Sequence, residues 1–168
     1  MDLTDSMSCS QFLTFTLAEE LFALHIVKVR EVLDFTTATK VPNTPRYLRG
    51  VINLRGNVLP VVDMRLKLGL QPAAETVNSC IIIVEVEMEG DTVLVGIVVD
   101  AVQEVLDLEP QDIEPPPRIG TKLDTEFIVG IGKHNEQFLM ILHIDAVLAA
   151  EASLVVQESV DELPNAIA

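Results

Sequence analysis

The sequence is poor in the residues that usually build disulfides, metal sites and stacking platforms. Aromatic residues make up 4% of its 168 residues, tryptophan is absent, and there are two cysteines, Cys9 and Cys80. Two cysteines are too few for a disulfide-stapled secreted scaffold, so we expect both thiols to be reduced. No apolar run approaches the roughly 20 residues that span a bilayer. Residues 1–10 carry two aspartates and no Lys or Arg, unlike a secretory signal. We therefore expect a cytoplasmic protein without direct membrane insertion.

Positive charge is also scarce. The chain has 11 Lys and Arg against 26 Asp and Glu, a net charge of −15, and phosphates repel such a chain. Residues 11–74 hold eight basic and five acidic side chains, whereas residues 75–150 hold three basic and fifteen acidic ones. The composition, 49% hydrophobic, supports a packed globule and excludes wholesale disorder.

Short β-branched runs bounded by Gly, Pro and Asn, such as residues 58–62, 81–88 and 93–99, predict buried strands. The chain also repeats itself. Residues 21–34 match residues 94–107 at six of fourteen positions, an offset of 73. After seven additional residues in the second copy, residues 47–51 fall on residues 127–131. A copy of about 75 residues is near the lower limit for an independent core, so two small barrels should pack on each other.

The repeat predicts the domain organisation. We expect a flexible N-terminus over 1–10, a first barrel repeat over 11–74, a second over 75–148, and a C-terminal helix and acidic tail over 149–168. Helix should be limited to a short turn after Asp63, ended by Gly69, and a C-terminal helix from residue 144.

A search for chemistry finds little. His25, His134 and His143 are not at metal-ligand spacing, and neither cysteine has a partner two to four residues away. The sequence contains no P-loop, no G-x-S-x-G and no G-x-G-x-x-G motif. We therefore expect no catalytic residues, no metal and no cofactor, and a binding module in place of an enzyme.

Three glycines predict special turns. Gly56 follows Arg55 between two strands, and a glycine there permits a positive φ that would turn the arginine outward. An incidental surface arginine on a hairpin remains an alternative at this point. Gly50 and Gly130 occupy equivalent places in the repeat, which predicts a matching backbone conformation that a Cβ would strain.

Several motifs carry a resemblance to a known family. GVINLRG at 50–56 is followed by NVLPVVDMR, and further on come GIVVDAV at 96–102 and TEFIVGIG at 125–132. From about Phe12 to Leu148 the chain resembles the CheW family of bacterial chemotaxis coupling proteins. The resemblance implies an all-β fold of two tandem five-stranded SH3-like β-barrels that share a hydrophobic core. It also implies no catalytic activity, with about 11–148 forming one CheW-like domain.

The resemblance further implies two protein partners. These are the cytoplasmic tips of methyl-accepting chemotaxis receptors and the regulatory domain of the histidine kinase CheA, with rings assembled beneath membrane-associated arrays. The resemblance implies that Val29, Glu31 and Arg55 bind the receptor. We add Val51, which we expect to line a groove between the barrels together with Val29. We place the kinase-binding contact on the second barrel, at Ile97, Val98, Val99 and Val102.

Some questions stay open in the sequence. Many family members have Gly where this chain has Ala18 and Ala23, which predicts a different turn in the first hairpin. The receptor class is undetermined, and a coupling role in a non-flagellar, pilus-type pathway is an alternative. A small-barrel nucleic-acid binder is a further alternative, disfavoured because so few aromatic side chains are available for stacking.

Overall fold

The computed structural model describes residues 10–116, 127–150 and 152, and within them the chain is built almost entirely of strands. Two short helices follow strands, α1 (Met64–Lys67) and α2 (Ile144–Val147), and 3-10 turns cover Ile26–Lys28 and Pro110–Asp112. The strands are β1 (Ser10–Leu17), β2 (Glu20–His25), β3 (Val29–Asp34), β4 (Leu48–Leu54), β5 (Asn57–Asp63), β6 (Cys80–Met88), β7 (Asp91–Val99), β8 (Ala101–Leu108), β9 (Ile113–Glu114), β10 (Ile128–His134) and β11 (Gln137–Leu142). The remainder of the predicted N-terminus and most of the predicted tail lie outside the described residues.

The strands form two sheets, each closed into a small barrel. One sheet has the order β8-β1-β2-β11-β10-β9 and is called barrel A; the other has the order β3-β6-β7-β5-β4 and is called barrel B. Barrel A is closed by β9, which follows β8 and pairs with β10. Barrel B is closed by a bridge between Thr39, beyond β3, and Val51 on β4. The predicted all-β fold of two barrels is confirmed.

Each barrel takes strands from both copies of the repeat. The hairpin β1–β2 belongs to the first copy, but β1 pairs with β8 and β2 runs parallel to β11. The equivalent hairpin of the second copy, β6–β7, pairs with β3 and runs parallel to β5. The two copies have therefore exchanged their first hairpins. The sheets do not follow the predicted division into residues 11–74 and 75–148.

The molecule has three apolar layers as a result of the exchange. One face of each exchanged hairpin, β1–β2 or β6–β7, lines the interior of its own barrel, and the opposite face packs against the other barrel. The interior of barrel A is a small apolar cluster around Phe12 and Leu139. The interior of barrel B is a small apolar cluster around Ile81 and Val61. The largest cluster lies between the barrels and includes Phe15, Phe22, Ile82, Ile97 and Val147. This layer is the shared hydrophobic core that the resemblance implies.

The two barrels close around equivalent glycines. Each sits at a β-bulge, at Leu48/Gly50 in one barrel and Ile128/Gly130 in the other. A Cβ on Gly50 would lie 2.1 Å from the Thr39 carbonyl oxygen, and one on Gly130 would lie 2.7 Å from that of Glu114. Close backbone approach is thus the shared feature. The backbone conformations differ, because only Gly50, with φ of 141°, lies in the left-handed half of conformational space.

The short helices are also capped at equivalent positions. The carboxylate of Asp63 accepts a hydrogen bond from the N–H of Leu66 (3.3 Å) at the start of α1, as predicted, and Gly69 beyond it has a φ of 81°. His143 does not lie in a strand: its Nδ1 accepts from the N–H of Ala146 (3.1 Å) at the start of α2. A histidine therefore serves as the cap that an aspartate provides in the first copy.

The first hairpin turn departs from expectation. Ala18 and Glu19 have φ of 53° and 70°, so alanine adopts the left-handed conformation that was predicted to be avoided. The N–H of Ala18 donates to the carboxylate of Asp100 at 2.9 Å, and this contact offsets the cost of the turn. The expectation that alanine would avoid a positive φ at this turn is therefore wrong.

Candidate partner-binding surfaces

The predicted receptor residues include an ion pair at one end of barrel B. The turn between β4 and β5 consists of Arg55 (φ 52°) and Gly56 (φ 90°), and the N–H of Gly56 donates to the Asn53 side chain at 2.9 Å. This turn directs the Arg55 side chain outward, as predicted, and its guanidinium is paired with the carboxylate of Glu31 on β3. The pair therefore places a positive and a negative charge side by side on an exposed edge.

Two partly buried valines complete this set. Val29 begins β3 and packs against the shared core, and Val51 lies on β4, where its N–H and C=O both bond Thr39 at 2.9 Å. All four predicted receptor residues belong to barrel B, with Val29 and Glu31 on β3, Val51 on β4, and Arg55 in the turn that follows β4. They do not line opposite walls of a groove between the barrels.

Most of the predicted kinase-binding residues are inaccessible. Ile97, Val98 and Val99 lie on β7, in barrel B, and all three are buried. Ile97 and Val99 point into the shared core and Val98 into the barrel interior, so both faces of β7 are covered. The prediction that they form a binding surface is wrong. Val102 lies on β8 of barrel A and is half-buried, so it stays a candidate.

Sequence reasoning missed a set of exposed apolar side chains at matching positions of the two barrels. Val58 and Phe138 are 63% and 65% exposed at the start of β5 and β11, and the repeat offset of 80 relates them. Val32 on β3 and Val105 on β8, related by the offset of 73, are also exposed. The repeat itself carried this signal, because a recurring apolar residue at an outward strand position has no packing role to explain it.

The barrels differ in charge around these side chains. Barrel B, taken as residues 26–100, holds eight basic and nine acidic side chains. The described part of barrel A, residues 10–25, 101–116 and 127–150, also holds nine acidic side chains but one basic residue, Lys133. Hairpin exchange thus moves acidic strands β6 and β7 into the otherwise basic barrel. The imbalance of +3 against −12 between the sequence halves becomes about −1 against −8 between the barrels.

The difference in charge between the barrels is clearest at the repeat equivalents of Glu31 and Arg55. Glu104 on β8 is the repeat equivalent of Glu31, and Asn135 occupies the turn position of Arg55, with a similar φ of 51°. Within the described residues, no lysine or arginine pairs with Glu104; its backbone N–H and C=O bond the buried hydroxyl of Thr14. Barrel A therefore presents an uncompensated carboxylate where barrel B presents a neutralised one.

A polar cleft near α1 contains the titratable groups with perturbed pKa values. Arg49 binds Asp63 at 3.1 Å and Glu75 at 2.6 Å, and its hydrogen bond lowers the pKa of the Glu75 carboxyl. Burial opposes ionisation of Asp100, but hydrogen bonds from Arg65 and from the N–H of Ala18 outweigh it, so the pKa of Asp100 is also lowered. With lowered pKa values, the paired carboxylates of Glu75 and Asp100 are not poised to exchange protons near neutral pH.

Over residues 10–116, 127–150 and 152, no three His, Cys, Asp or Glu side chains cluster closely enough to hold a metal ion. None of the helices in these ranges combines the length and the apolar character needed to cross a membrane.

Comparison with known proteins decides the family. Residues 11–152 match the family model described as the CheW-like domain. The chain belongs to the CheW family. It is 36% identical to the chemotaxis protein CheW of Klebsiella aerogenes over 84% of this chain and 82% of that protein. It is 34% identical to CheW of Bacillus subtilis over 79% of this chain and 82% of that protein.

A solved CheW structure agrees with the fold. The crystal structure of the scaffolding protein TtCheW from Thermoanaerobacter tengcongensis superposes with a TM-score of 0.75 at 38% identity, covering 83% of this chain and 92% of that one. The barrels are therefore the SH3-like barrels of CheW proteins, and the chain is a scaffold protein of chemotaxis.

Proposed function

We propose that this CheW protein is a non-enzymatic adaptor that couples methyl-accepting chemoreceptors to the histidine kinase CheA. It acts in the cytoplasm, where it is recruited to membrane-associated receptor arrays. The observation that carries the proposal is that each barrel displays its own exposed apolar residues at equivalent positions, Val58 on one and Phe138 on the other. A protein that bridges two partners needs two accessible surfaces, and this fold supplies one on each barrel.

The receptor surface is proposed to lie on barrel B, around Glu31 and Arg55. Receptor tips are helical hairpins, and helices dock through apolar anchors flanked by charged side chains that set orientation. The half-buried Val29 and Val51 supply aliphatic surface on the same barrel. The fixed Arg55–Glu31 pair supplies the orienting charge.

The kinase surface is proposed to lie on barrel A, around Val102, Val105 and Phe138. Phe138 is the largest of the exposed apolar side chains in the described residues, and buried aromatic anchors carry much of the binding free energy at interfaces. The uncompensated Glu104 and the other acidic residues of this barrel favour a partner surface with basic side chains at its rim.

Two substitutions test the assignment of the two surfaces. Arg55→Glu should weaken binding to a receptor-tip hairpin about tenfold or more and leave binding to the CheA regulatory domain unchanged. Phe138→Asp should do the reverse. Binding of each purified variant to each partner is measured by calorimetry. Val77→Asp is the matched control, because Val77 is 99% exposed on a loop and should affect neither partner.

The outcomes separate the possibilities. Loss of both partners with either substitution would mean a single shared surface, and retention of both partners with both substitutions would contradict the proposal. Receptor tips from flagellar and pilus-type pathways, assayed in parallel, identify the pathway.

A further inference from the structure

Two ion pairs lie at the two places where the chain passes from one barrel to the other. The first link, Ile26–Lys28, joins β2 to β3, and the ammonium of Lys28 lies 2.9 Å from the carboxylate of Asp145 on α2. The second link is the single residue Asp100, between β7 and β8, whose carboxylate lies 2.5 Å from the guanidinium of Arg65 on α1. The four side chains are only 18–32% exposed.

The carboxylates of Asp100 and Asp145 also each accept a hydrogen bond from a backbone N–H of an exchanged hairpin. Asp100 accepts from Ala18, in the β1–β2 turn, at 2.9 Å. Asp145 accepts from Glu87, near the end of β6, at 3.1 Å. Each ion pair therefore connects a link, a helix and an exchanged hairpin, and so fixes the place where the two barrels meet.

The two pairs join equivalent elements, a link and the short helix beside it, with opposite polarity. Arg65 and Asp145 are both the second residue of their helices and are related by the offset of 80. In one pair the base is on the helix and the acid is on the link; in the other pair the acid is on the helix. Similar strand pairings bring both pairs together, because β5 runs parallel to β7 and β11 runs parallel to β2, although Lys28 lies one residue beyond the position that matches Asp100.

This polarity matters when the alternative pairing is considered. In a tandem arrangement, each copy of the repeat would keep its own hairpin, so that β2 would lie beside β5 and β7 beside β11. The equivalent register would then place Lys28 beside Arg65, and Asp100 beside Asp145. Both contacts would join like charges in a partly buried site, whereas both contacts of the observed arrangement join opposite charges.

We propose that these four charges form a device that selects the exchanged arrangement of the hairpins over the tandem one. Link length contributes at one site. In the tandem arrangement β6 would separate β7 from β8, a gap of about 10 Å that one residue of about 3.3 Å cannot span. The first link has three residues and imposes a weaker constraint, so length opposes the tandem arrangement at the second link alone, whereas charge opposes it at both links.

The test removes the length constraint and then changes only the positions of the charges. About six Gly and Ser residues are inserted after Asp100, in the full chain, with native charges or with Arg65→Asp and Asp145→Arg together. The double substitution keeps the net charge but makes both exchanged contacts like-charged and both tandem contacts opposite. The arrangement is read by nuclear Overhauser effects from the amide of Ala23, which faces Ile141 when exchanged and would face the equivalent Val61 in tandem.

We expect the lengthened protein with native charges to keep the contact between Ala23 and Ile141. The doubly substituted protein should lose it and gain the contact between Ala23 and Val61. If the substituted protein keeps the contact between Ala23 and Ile141 and its melting temperature stays within about 2 °C of the lengthened protein with native charges, the charges do not select the arrangement.

A second comparison applies even where the lengthened protein does not fold. In the chain of native length, Arg65→Asp with Asp145→Arg should lower the melting temperature by about 5 °C or more. Arg65→Asp with Asp100→Arg, which reverses one pair and keeps both contacts opposite, should lower it much less. Equal losses in these two variants of identical net charge would overturn the proposal.

Discussion

Barrels A and B are built on one plan, and they differ mainly in how their charges are compensated. Both have a bulge at an equivalent glycine, a helix capped after the last strand of its final hairpin, and an exposed apolar residue at the start of that strand. In barrel B, Arg55 neutralises Glu31; in barrel A, Asn135 stands at the position of Arg55, and no Lys or Arg among the described residues pairs with Glu104. A duplicated fold can thus retain its packing while its two surfaces acquire different partners, because surface charge is not constrained by the core.

The largest effect should come from the two equivalent glycines, which test how far the structural likeness extends. Gly50→Val should lower the free energy of unfolding by about 3 kcal/mol or more, because the Cβ would meet a backbone oxygen and the φ is unfavourable. Gly130→Val should cost about 1–2 kcal/mol, since its neighbours belong to the two-residue strand β9. Urea unfolding measures both.

Gly56→Ala is the control for backbone conformation alone, because nothing lies within 4 Å of a Cβ at that position. Its cost should be about 1 kcal/mol. Equal costs at Gly50 and Gly130 would show that the difference in φ between the two glycines has no energetic consequence.

The next largest effect should come from a substitution that removes the difference in charge between the two barrels. Asn135→Arg gives barrel A the arginine that barrel B has at its equivalent turn, and Arg55 shows that arginine is tolerated at a φ of 52°. Neutralisation of Glu104 should weaken binding to the CheA regulatory domain by up to about tenfold, or about 1.4 kcal/mol. Asn135→Gln is the uncharged control. Unchanged affinity for both variants would show that Glu104 is not part of the kinase surface.

A smaller effect concerns association kinetics. Because barrel A carries the larger net charge, the rate of association with the kinase domain should fall roughly threefold to tenfold between about 50 and 300 mM salt, with little change in dissociation. Surface plasmon resonance measures both rates. The association rate of Asn135→Arg should depend less steeply on salt. If the association rate of the unsubstituted protein does not change with salt, the acidic surface plays no part in assembly with the kinase domain.

The smallest effect is a change in stability with pH. The pKa of Asp100 is lowered in the folded protein, so the stability it contributes is present above the unfolded value of about 3.9 and is lost as pH falls through the folded value. The contribution of Asp100 to stability should therefore be constant near neutral pH and decline below about pH 4. Asp100→Asn should flatten that decline, whereas Asp107→Asn, on an exposed position of β8, should not.

The fold could be predicted from the sequence further than the site. Short β-branched runs and an internal repeat predicted two barrels, and turn residues such as Gly56 and Gly69 were placed correctly. Hairpin exchange escaped prediction because a repeat shows which segments are equivalent and does not show which copy each segment pairs with. The single-residue link at Asp100 was the available signal, since so short a connection cannot cross an intervening strand.

The kinase-binding residues were misplaced for a related reason. The segment Ile97–Val99 was assigned to the kinase contact although its β-branched run also predicts a buried strand, and exchange places β7 between a barrel interior and the shared core. Both faces of the strand are then buried. The predicted receptor residues on β3 and in the β4–β5 turn stay a prediction, and they are accessible because an edge strand and a tight turn remain at the surface whichever copy the hairpins pair with.

Hairpin exchange has a consequence for the ancestry of the chain. A protein with only one copy of the repeat could form these same strand pairings by donating its hairpin to a second molecule and receiving one in return, as a symmetric domain-swapped homodimer does. Gene duplication and fusion of such a dimer would give the present strand order, with both exchanges now made within one chain. The opposite polarity of Arg65–Asp100 and Lys28–Asp145 would then have arisen after fusion, when the two halves no longer had to be identical.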